Sequence, residues 1–310
     1  MQSYRLIISV VASVMCILSI NQIAHAAGTD PTIAWVYRDK IRMGWSPSDL
    51  SQYPLMAKAG MNAVMPREEL DVRVAYDPAK ADVALSKNDA DIIARIRDSS
   101  RAAKQNGLHY FHCLNLAAQA QTWQTGFQDN PARYNDGKLP SPVDPVYWNR
   151  VIMNRVSRVL DLLKDQEQYA LDAIIIDPEM YSLGGGLPGN PDYGKYAFET
   201  FIKETKRKMP DQNVDDVKSR EAWILQQGLK GKYEEWQFDR IKGFGRALEK
   251  MVHKRRPSLI LGYIIYEDKM WFHAMAAGLS TPQHPVFIGP ENTYSGVMAE
   301  RMAAYFQQIR

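Results

Sequence analysis

Two carboxylates follow an apolar run near the middle of the chain, and they stand two residues apart. Residues 171–181 read LDAIIIDPEMY, so Asp177 and Glu179 come directly after a run of isoleucines. Residues i and i+2 of an extended strand point to the same side, so we expect both carboxylates on one face. Neighbouring carboxylates repel each other, which favours the protonated form of one, and burial raises the pKa of that one further. This spacing therefore predicts a general acid held beside an ionised carboxylate.

A protonated carboxyl group suits the cleavage of glycosidic bonds, because the leaving oxygen must receive a proton. The alternative is a structural or metal-binding pair, which could also cap a neighbouring helix or form an ion pair with an arginine such as Arg67. An apolar run precedes the two acids and the glycine-rich stretch SLGGGLPGNPDYG follows them, and this setting favours catalysis. We predict that Glu179 is the acid/base and that Asp177 tunes its proton affinity.

A glycosidase needs a second carboxyl group, about 5 Å from the acid in retaining enzymes and about 6.5–9.5 Å away in inverting ones. Two glutamates follow later apolar runs, Glu291 in VFIGPENTYSG and Glu267 in GYIIYED. Pro290 restricts the backbone just before Glu291, whereas Glu267 could simply begin the next helix, where acids suit the helix dipole. We prefer Glu291 as nucleophile or base and keep Glu267 as the alternative.

Sugar binding needs flat apolar faces and hydrogen-bond donors, and residues of both kinds recur just after the predicted strands. For each of them alone, ordinary packing is an equal alternative, but their recurrence at strand ends favours a site. The predicted substrate-binding residues are Trp45, Arg67, Asn115, Tyr181, Tyr266, Glu267, Trp271 and Tyr294.

The elements that must position these residues alternate along the chain. Short apolar runs, such as LHYFHCLNL at 108–116 and the run at 171–177, are separated by segments with helical periodicity. Continuous apolar strands alternating with helices indicate a parallel sheet covered by helices. An open doubly wound sheet and a closed barrel both fit. Acids at strand ends favour the barrel, whose active site lies at the C-terminal ends of its strands, so we predict an α/β, (β/α)8 TIM-barrel-like fold.

The count of units differs from that of a full barrel. About six strand–helix units can be recognised, whereas a complete barrel has eight. Either the chain lacks its last repeats at the C-terminus, or weak strands in 33–44 or 67–86 supply part of the difference. We expect the first strand or strands within 33–44 and one long helix over 218–255.

The N-terminal 26 residues have the pattern of a secretory signal peptide. Arg5 provides a positive start, residues 6–20 are apolar, and Ala24 and Ala26 form a small-x-small cleavage pattern. The apolar run is shorter than the ~20 residues of a membrane-spanning helix. We therefore predict a signal peptide at 1–26 and one barrel catalytic domain at 27–310. The mature protein would be secreted or periplasmic in a bacterium, without a membrane contact.

Charge, cysteine and histidine usage exclude several classes of partner and chemistry. Lys and Arg (38) nearly balance Asp and Glu (35), and no basic run is interleaved with aromatics, so we expect no nucleic-acid partner. Cys113 is alone once the signal is removed, which excludes an intrachain disulfide. His109 and His112 should face opposite ways in a strand, with His112 nearer the mouth and His109 buried. The histidine spacings match no zinc motif and no G-x-S-x-G elbow occurs, so we predict neither a metal nor another cofactor.

The stretch 172–179 resembles the strand-four signature of family 18 chitinases and related endo-glycosidases, D-G-x-D-x-D-x-E. Asp172 falls on its first Asp, Asp177 on its last Asp and Glu179 on its Glu, while Ala173 replaces the Gly and Ile175 the middle Asp. The resemblance implies a TIM-barrel glycoside hydrolase in which the Glu is the acid and the last Asp orients a substrate N-acetyl group. More broadly, the chain looks like bacterial TIM-barrel glycoside hydrolases with a second carboxylate on a later strand.

These observations predict an exported glycoside hydrolase that acts on a poly- or oligosaccharide by paired-carboxylate acid/base catalysis. Two alternatives stay open. One is a non-catalytic carbohydrate-binding barrel, which the apparently missing units favour. The other is a metal-dependent hydrolase or deacetylase that uses Asp177 and Glu179 as oxygen ligands.

Overall fold

The computed structural model describes residues 35–45, 47, 49–66, 87–115, 132–177, 191–210, 213–265 and 270–290. The predicted signal peptide at 1–26 lies outside these ranges. None of the helices in them is both long and apolar enough to cross a lipid bilayer.

Six parallel strands form one curled sheet in which every strand pairs with its neighbours along the chain. A doubly wound sheet would instead reverse its strand order at a switch point. The open-sheet alternative is therefore wrong for these strands, and the curl is that of a TIM-barrel-like half-barrel. A complete barrel would need two further strands. The strands are β1 (Met43–Trp45), β2 (Ala63–Met65), β3 (His109–Asn115), β4 (Ala173–Asp177), β5 (Ile260–Ile265) and β6 (Phe287–Pro290).

The helices lie between these strands in the sequence. Because parallel crossovers are right-handed, a sheet whose strands follow chain order keeps its connecting helices on one face. A π-helical segment, Tyr147–Met153, leads directly into α4, and a 3₁₀ turn covers Tyr134–Asp136. The helices are α1 (Trp35–Asp39), α2 (Gln52–Lys58), α3 (Lys87–Gln105), α4 (Asn154–Leu162), α5 (Lys195–Glu204), α6 (Val217–Gln226), α7 (Lys230–Arg255) and α8 (Met270–Leu279).

Alternate residues of each strand belong to two separate hydrophobic clusters. On the convex face, Ile174 and Ile176 pack with residues of the surrounding helices, such as Leu248. On the concave face, Ala173 and Ile175 pack with residues of the neighbouring strands. The period of two is that of an extended strand, so the parity of a residue in β4 decides whether it faces the helices or the interior of the curl.

Residues 35–39 form a helix where the sequence predicted a strand. Trp35 and Val36 both pack on the concave cluster, which adjacent residues of a strand could not do because their side chains point to opposite sides. The Trp35 ring stacks on the His109 ring with centroids 3.5 Å apart. Helix α1 therefore covers the end of the concave face where the strands begin.

The single long helix predicted over 218–255 is two helices. Gly228 has a φ of +62° and separates α6 from α7. This left-handed conformation is accessible to glycine and ends a helix. Helix α6 begins with a reciprocal capping box between Asp216 and Ser219.

Candidate active site

Asp177 is the last residue of β4, at the edge of the sheet where the strands end. It has the same parity as Ala173 and Ile175, so it belongs to the concave face. Its exposure is 1 %, which makes it a buried carboxylate at the C-terminal edge. The neighbouring strand β3 ends with Asn115, which is the register partner of Asp177. Two of the predicted site residues thus end adjacent strands at the same level.

Trp45 ends β1 at the same edge of the sheet. Met43, two residues earlier, packs on the concave cluster, so Trp45 has concave parity as well. It is 40 % exposed, which is unusual for so large an apolar side chain. An accessible indole at the C-terminal edge offers a flat apolar surface to a ligand.

Trp271 does not have such a surface. It lies in the first turn of α8, is 1 % exposed, and belongs to the convex cluster between sheet and helices. Within the described structure its indole Nε1 has no hydrogen-bond partner. The prediction that Trp271 binds substrate at the mouth is corrected to a packing role, because its ring is buried between the sheet and the helices.

The remaining predicted site residues lie outside the described ranges. They are Glu179, Glu291, Arg67, Tyr181, Tyr266, Glu267 and Tyr294.

A buried aspartate holds together the loops that follow β3 and β4. The Asp192 carboxylate accepts hydrogen bonds from the backbone N–H of Asn135 (2.8 Å), the backbone N–H of Gly194 (2.7 Å) and the Ser141 hydroxyl (2.5 Å). Burial raises the pKa of Asp192 to about 6, although these hydrogen bonds act in the opposite direction. Asp192 therefore holds together the loops that follow β3 and β4. No pattern in the short stretch PDYG marked this residue as important in the sequence.

The backbone of Asp192 is also hydrogen-bonded to helix α7. Gln237 accepts a hydrogen bond from the Asp192 backbone N–H at 2.8 Å, and the Tyr233 hydroxyl donates to the Asp192 carbonyl at 2.5 Å. Arg220 donates to the Tyr193 carbonyl at 2.7 Å and also pairs with Asp136. Both loops are thereby fixed to helices α6 and α7.

The two strand histidines are placed opposite to the prediction. His112 lies in the convex layer with 1 % exposure, and burial lowers its pKa to about 3, so the ring is neutral. His109 lies at the N-terminal end of β3 with its side chain 31 % exposed. Because their spacing is odd, the two histidines face opposite sides of the sheet. The packing of the helices decides which of them is buried.

Asp172, which resembles the first Asp of the family 18 signature only in sequence, lies at the opposite end of β4 from Asp177. Its carboxylate is 3.0 Å from His109 Nδ1 and accepts the backbone N–H of Tyr110, also at 3.0 Å. These contacts connect β3 with the start of β4. Asp172 thus serves strand pairing at the N-terminal edge of the sheet.

No protein-family model matches the chain, and no curated protein matches it either. Among solved structures, a GH20 exo-β-N-acetylglucosaminidase from Vibrio harveyi in complex with N-acetylglucosamine aligns with a TM-score of 0.46 and 11% identity. The alignment covers 87% of this chain and 40% of that one. An inactive mutant of the Vibrio harveyi enzyme aligns with a TM-score of 0.37 and 12% identity over 82% of this chain and 42% of the other.

A structure of the pneumococcal virulence factor StrH, solved in a study of N-glycan recognition and hydrolysis, aligns with a TM-score of 0.41 and 10% identity. That alignment covers 85% of this chain and 62% of StrH. This chain thus spans less than two thirds of the length of each of these glycosidases. Similarity at this level transfers no residue roles, so the function proposed below depends on this chain's own residues.

Proposed function

We propose that this protein is an exported glycoside hydrolase that cleaves glycosidic bonds in a poly- or oligosaccharide. Glu179 donates the proton to the leaving oxygen, Asp177 tunes Glu179, and Glu291 is the nucleophile or base. The observation that carries the proposal is the buried Asp177 at the concave C-terminal edge of β4.

The role of Glu179 follows from its distance to Asp177 along the chain. If the backbone stays extended through Pro178, whose φ is compatible with extended chain, Glu179 shares the concave side with Asp177. An ionised carboxylate nearby disfavours ionisation of Glu179, and this keeps Glu179 protonated at the pH where it must act as an acid.

Strand parity supports Glu291 over Glu267 as the second carboxylate. Phe287 of β6 packs on the concave cluster, and Glu291 is four residues later, so continued extension would keep it on that face. Ile264 of β5 is also concave, and Glu267, three residues later, would have the opposite parity.

The decisive experiment compares three variants with the wild type on a panel of glycosides with good and poor leaving groups. Glu179→Gln should reduce turnover by about 10²–10⁴-fold on poor leaving groups and much less on an activated aryl glycoside, which needs little protonation. Binding of the sugar, measured by calorimetry, should be retained. A Glu179→Gln variant with wild-type turnover on poor leaving groups would contradict the proposal.

The same panel assigns the second carboxylate. Loss of turnover in Glu291→Gln, with restoration by azide as an external nucleophile, would identify a nucleophile at that position. Glu267→Gln is the matched control, and it should keep its turnover. The reverse result would transfer the role to Glu267.

A non-catalytic carbohydrate-binding barrel is the second candidate, and the exposed Trp45 favours sugar binding with or without catalysis. Binding without turnover by the wild-type protein would support it. Loss of turnover on adding a chelator, with the fold intact by circular dichroism, would instead favour a metal-dependent hydrolase or deacetylase with Asp177 and Glu179 as ligands.

A further inference from the structure

A carboxylate and two imidazoles meet at the N-terminal edge of the sheet, opposite the candidate active site. Glu249 and His253 are one turn apart on α7, and His284 lies in the connection from α8 to β6. One ligand atom from each of the three lies within 4.8 Å of the others. Leu259, whose carbonyl contacts His253, directly precedes β5.

The two imidazoles approach the same carboxylate oxygen. His253 Nδ1 is 3.0 Å from Glu249 Oε1, and His284 Nδ1 is 3.2 Å from that oxygen. The two rings are stacked with centroids 3.7 Å apart. In tetrahedral zinc sites, with ligand bonds of about 2.0–2.1 Å, ligand atoms are about 3.3 Å apart. The two carboxylate–imidazole distances are therefore already close to those around a shared ion. Because the two rings are nearly parallel, the partly exposed His284 must rotate for both Nδ1 lone pairs to meet one ion.

The hydrogen-bonding of His253 provides a second, independent indication. Its Nε2 is 2.8 Å from the Leu259 carbonyl oxygen, which can only accept, so Nε2 carries the hydrogen. A neutral His253 then directs the lone pair of Nδ1 at a carboxylate oxygen. The lone pair and the carboxylate oxygen repel each other. A cation between Nδ1 and the oxygen removes this repulsion, and the alternative is a second proton on the ring. Histidine ligands commonly donate their other N–H to a backbone carbonyl in this way.

Burial at the cluster fits a bound ion. Glu249 and His253 are 5 % and 8 % exposed, and the side chain of His284 is 22 % exposed, so water can reach only one side. Arg246 lies 3.5 Å from the other carboxylate oxygen, Oε2, and donates to the Ser280 carbonyl at 2.7 Å. Arg246 thus contacts Oε2, whereas the two imidazoles contact Oε1.

We propose that Glu249 Oε1, His253 Nδ1 and His284 Nδ1 bind one divalent transition-metal ion, with water as a fourth ligand. Two imidazoles and one carboxylate suit zinc, whereas magnesium and calcium prefer oxygen ligands. The ion would connect the end of α7, the start of β5 and the segment before β6. Its place at the N-terminal edge, opposite Asp177, separates the ion from the proposed glycoside chemistry. The sequence search for histidine pairs did not detect this order of ligands.

The proposal is tested by metal content of the full chain after chelator treatment and dialysis against zinc sulfate. Mass spectrometry of the eluted metal should find one zinc per chain, and the melting temperature should rise by several degrees. Cobalt in place of zinc should produce the visible absorption of a tetrahedral site. His284→Ala, in a partly exposed connection, should lose the zinc equivalent, the cobalt bands and the thermal shift.

His109→Ala is the matched control. It removes a partly exposed imidazole that also pairs with a carboxylate, that of Asp172, but has no second imidazole beside it. This variant should bind zinc like the wild type.

Wild-type protein with no zinc above a buffer blank, or without cobalt bands, would overturn the proposal, and this result does not depend on any variant folding. A His284→Ala variant that keeps the full equivalent would also overturn it. Both measurements are independent of glycoside turnover, so they separate failure of the metal site from failure of the proposed function.

Discussion

At the scale of single residues, position along a strand separates two aspartates of similar sequence setting. Asp172 precedes β4 and pairs with His109 at a side-chain exposure of 28 %. Asp177 ends β4 and is 1 % exposed at the edge proposed for catalysis. The same side chain thus joins two strands at one end of β4 and is buried at the edge of the proposed site at the other.

Replacing Asp177 by Asn should lower turnover on a glycoside with a poor leaving group by about 10²-fold, because Glu179 loses the charge that favours its proton. Asp172→Asn is the control at the other end of the strand. It should leave turnover unchanged and cost about 1 kcal/mol of stability, since its ion pair is partly exposed. Steady-state kinetics and thermal unfolding measure both effects. Equal losses of turnover in the two variants would contradict the role of Asp177.

Asp192 should make stability depend on pH in an unusual direction for an acid. Its pKa is raised from 3.8 to about 6 by burial, so the folded chain favours the protonated form. The stabilisation is complete below pH 3.8 and is lost as the pH rises through 6. Asp192→Asn removes this loss. We therefore compare the free energies of unfolding of Asp192→Asn and the wild type. The variant's value minus the wild type's should rise by up to about 3 kcal/mol between pH 4 and pH 7.

Urea unfolding at a series of pH values measures that difference. His112 acts in the opposite sense, because its lowered pKa of about 3 provides stability above pH 6.5 that is lost as the pH falls towards 3. Both proteins contain His112, so its contribution cancels in the comparison. A difference that stays constant with pH would show that the Asp192 carboxyl group does not titrate as proposed.

At the scale of elements, helices α7 and α8 pack closely where two glycines meet. A Cβ added at Gly278 would lie 2.5 Å from the Lys242 carbonyl oxygen and 2.9 Å from Gly245 Cα. These neighbours are backbone atoms of α7, which cannot move aside as a flexible side chain could. The absence of side chains at these two positions allows the helices to approach each other on the convex face.

Gly278→Ala should therefore destabilise the fold by about 1–3 kcal/mol, because the added methyl group forces the helices apart. Gly243→Ala is the matched control in α7, since a Cβ there has no neighbour within 4 Å. An alanine in an open helix position should instead raise stability by about 0.5–1 kcal/mol. Denaturant unfolding of both variants tests the pair. Destabilisation of similar size in both would contradict this account of the helix contact.

At the scale of the whole molecule, the curl of the sheet is covered at one end. Helix α1 packs on the concave cluster where the strands begin, with Trp35 against His109. Asp177 and Trp45 lie at the other end. The proposed substrate would approach the C-terminal edge, whereas the proposed metal lies at the N-terminal edge.

Export is a further prediction at this scale. If residues 1–26 are a signal peptide, the chain secreted by a bacterial host should begin at Ala27, as read by N-terminal sequencing. Ala26→Phe should block cleavage, because the processing site requires a small residue there. An Ala27→Ser control should be processed normally. Recovery of wild-type chain that retains residues 1–26 outside the cytoplasm would contradict the predicted cleavage.

The sequence by itself determined where β3 and β4 lie. The run predicted at 108–116 is β3 at His109–Asn115, and the run predicted at 171–177 contains β4 at Ala173–Asp177. Apolar periodicity can be recognised in a short stretch of sequence, because residues a few positions apart in a strand share one environment. The alternation of these runs with helical segments was likewise sufficient for the α/β class.

Only the tertiary structure decided the order of the strands and the side to which their residues point. The parity rule states that His109 and His112 face apart, but the packing of the helices determines which of them is buried against the convex layer. Packing of α8 against the sheet and the other helices buries Trp271, and the meeting of Glu249, His253 and His284 joins segments separated by a strand and a helix. These features depend on contacts between distant parts of the chain, and local periodicity contains no information about such contacts.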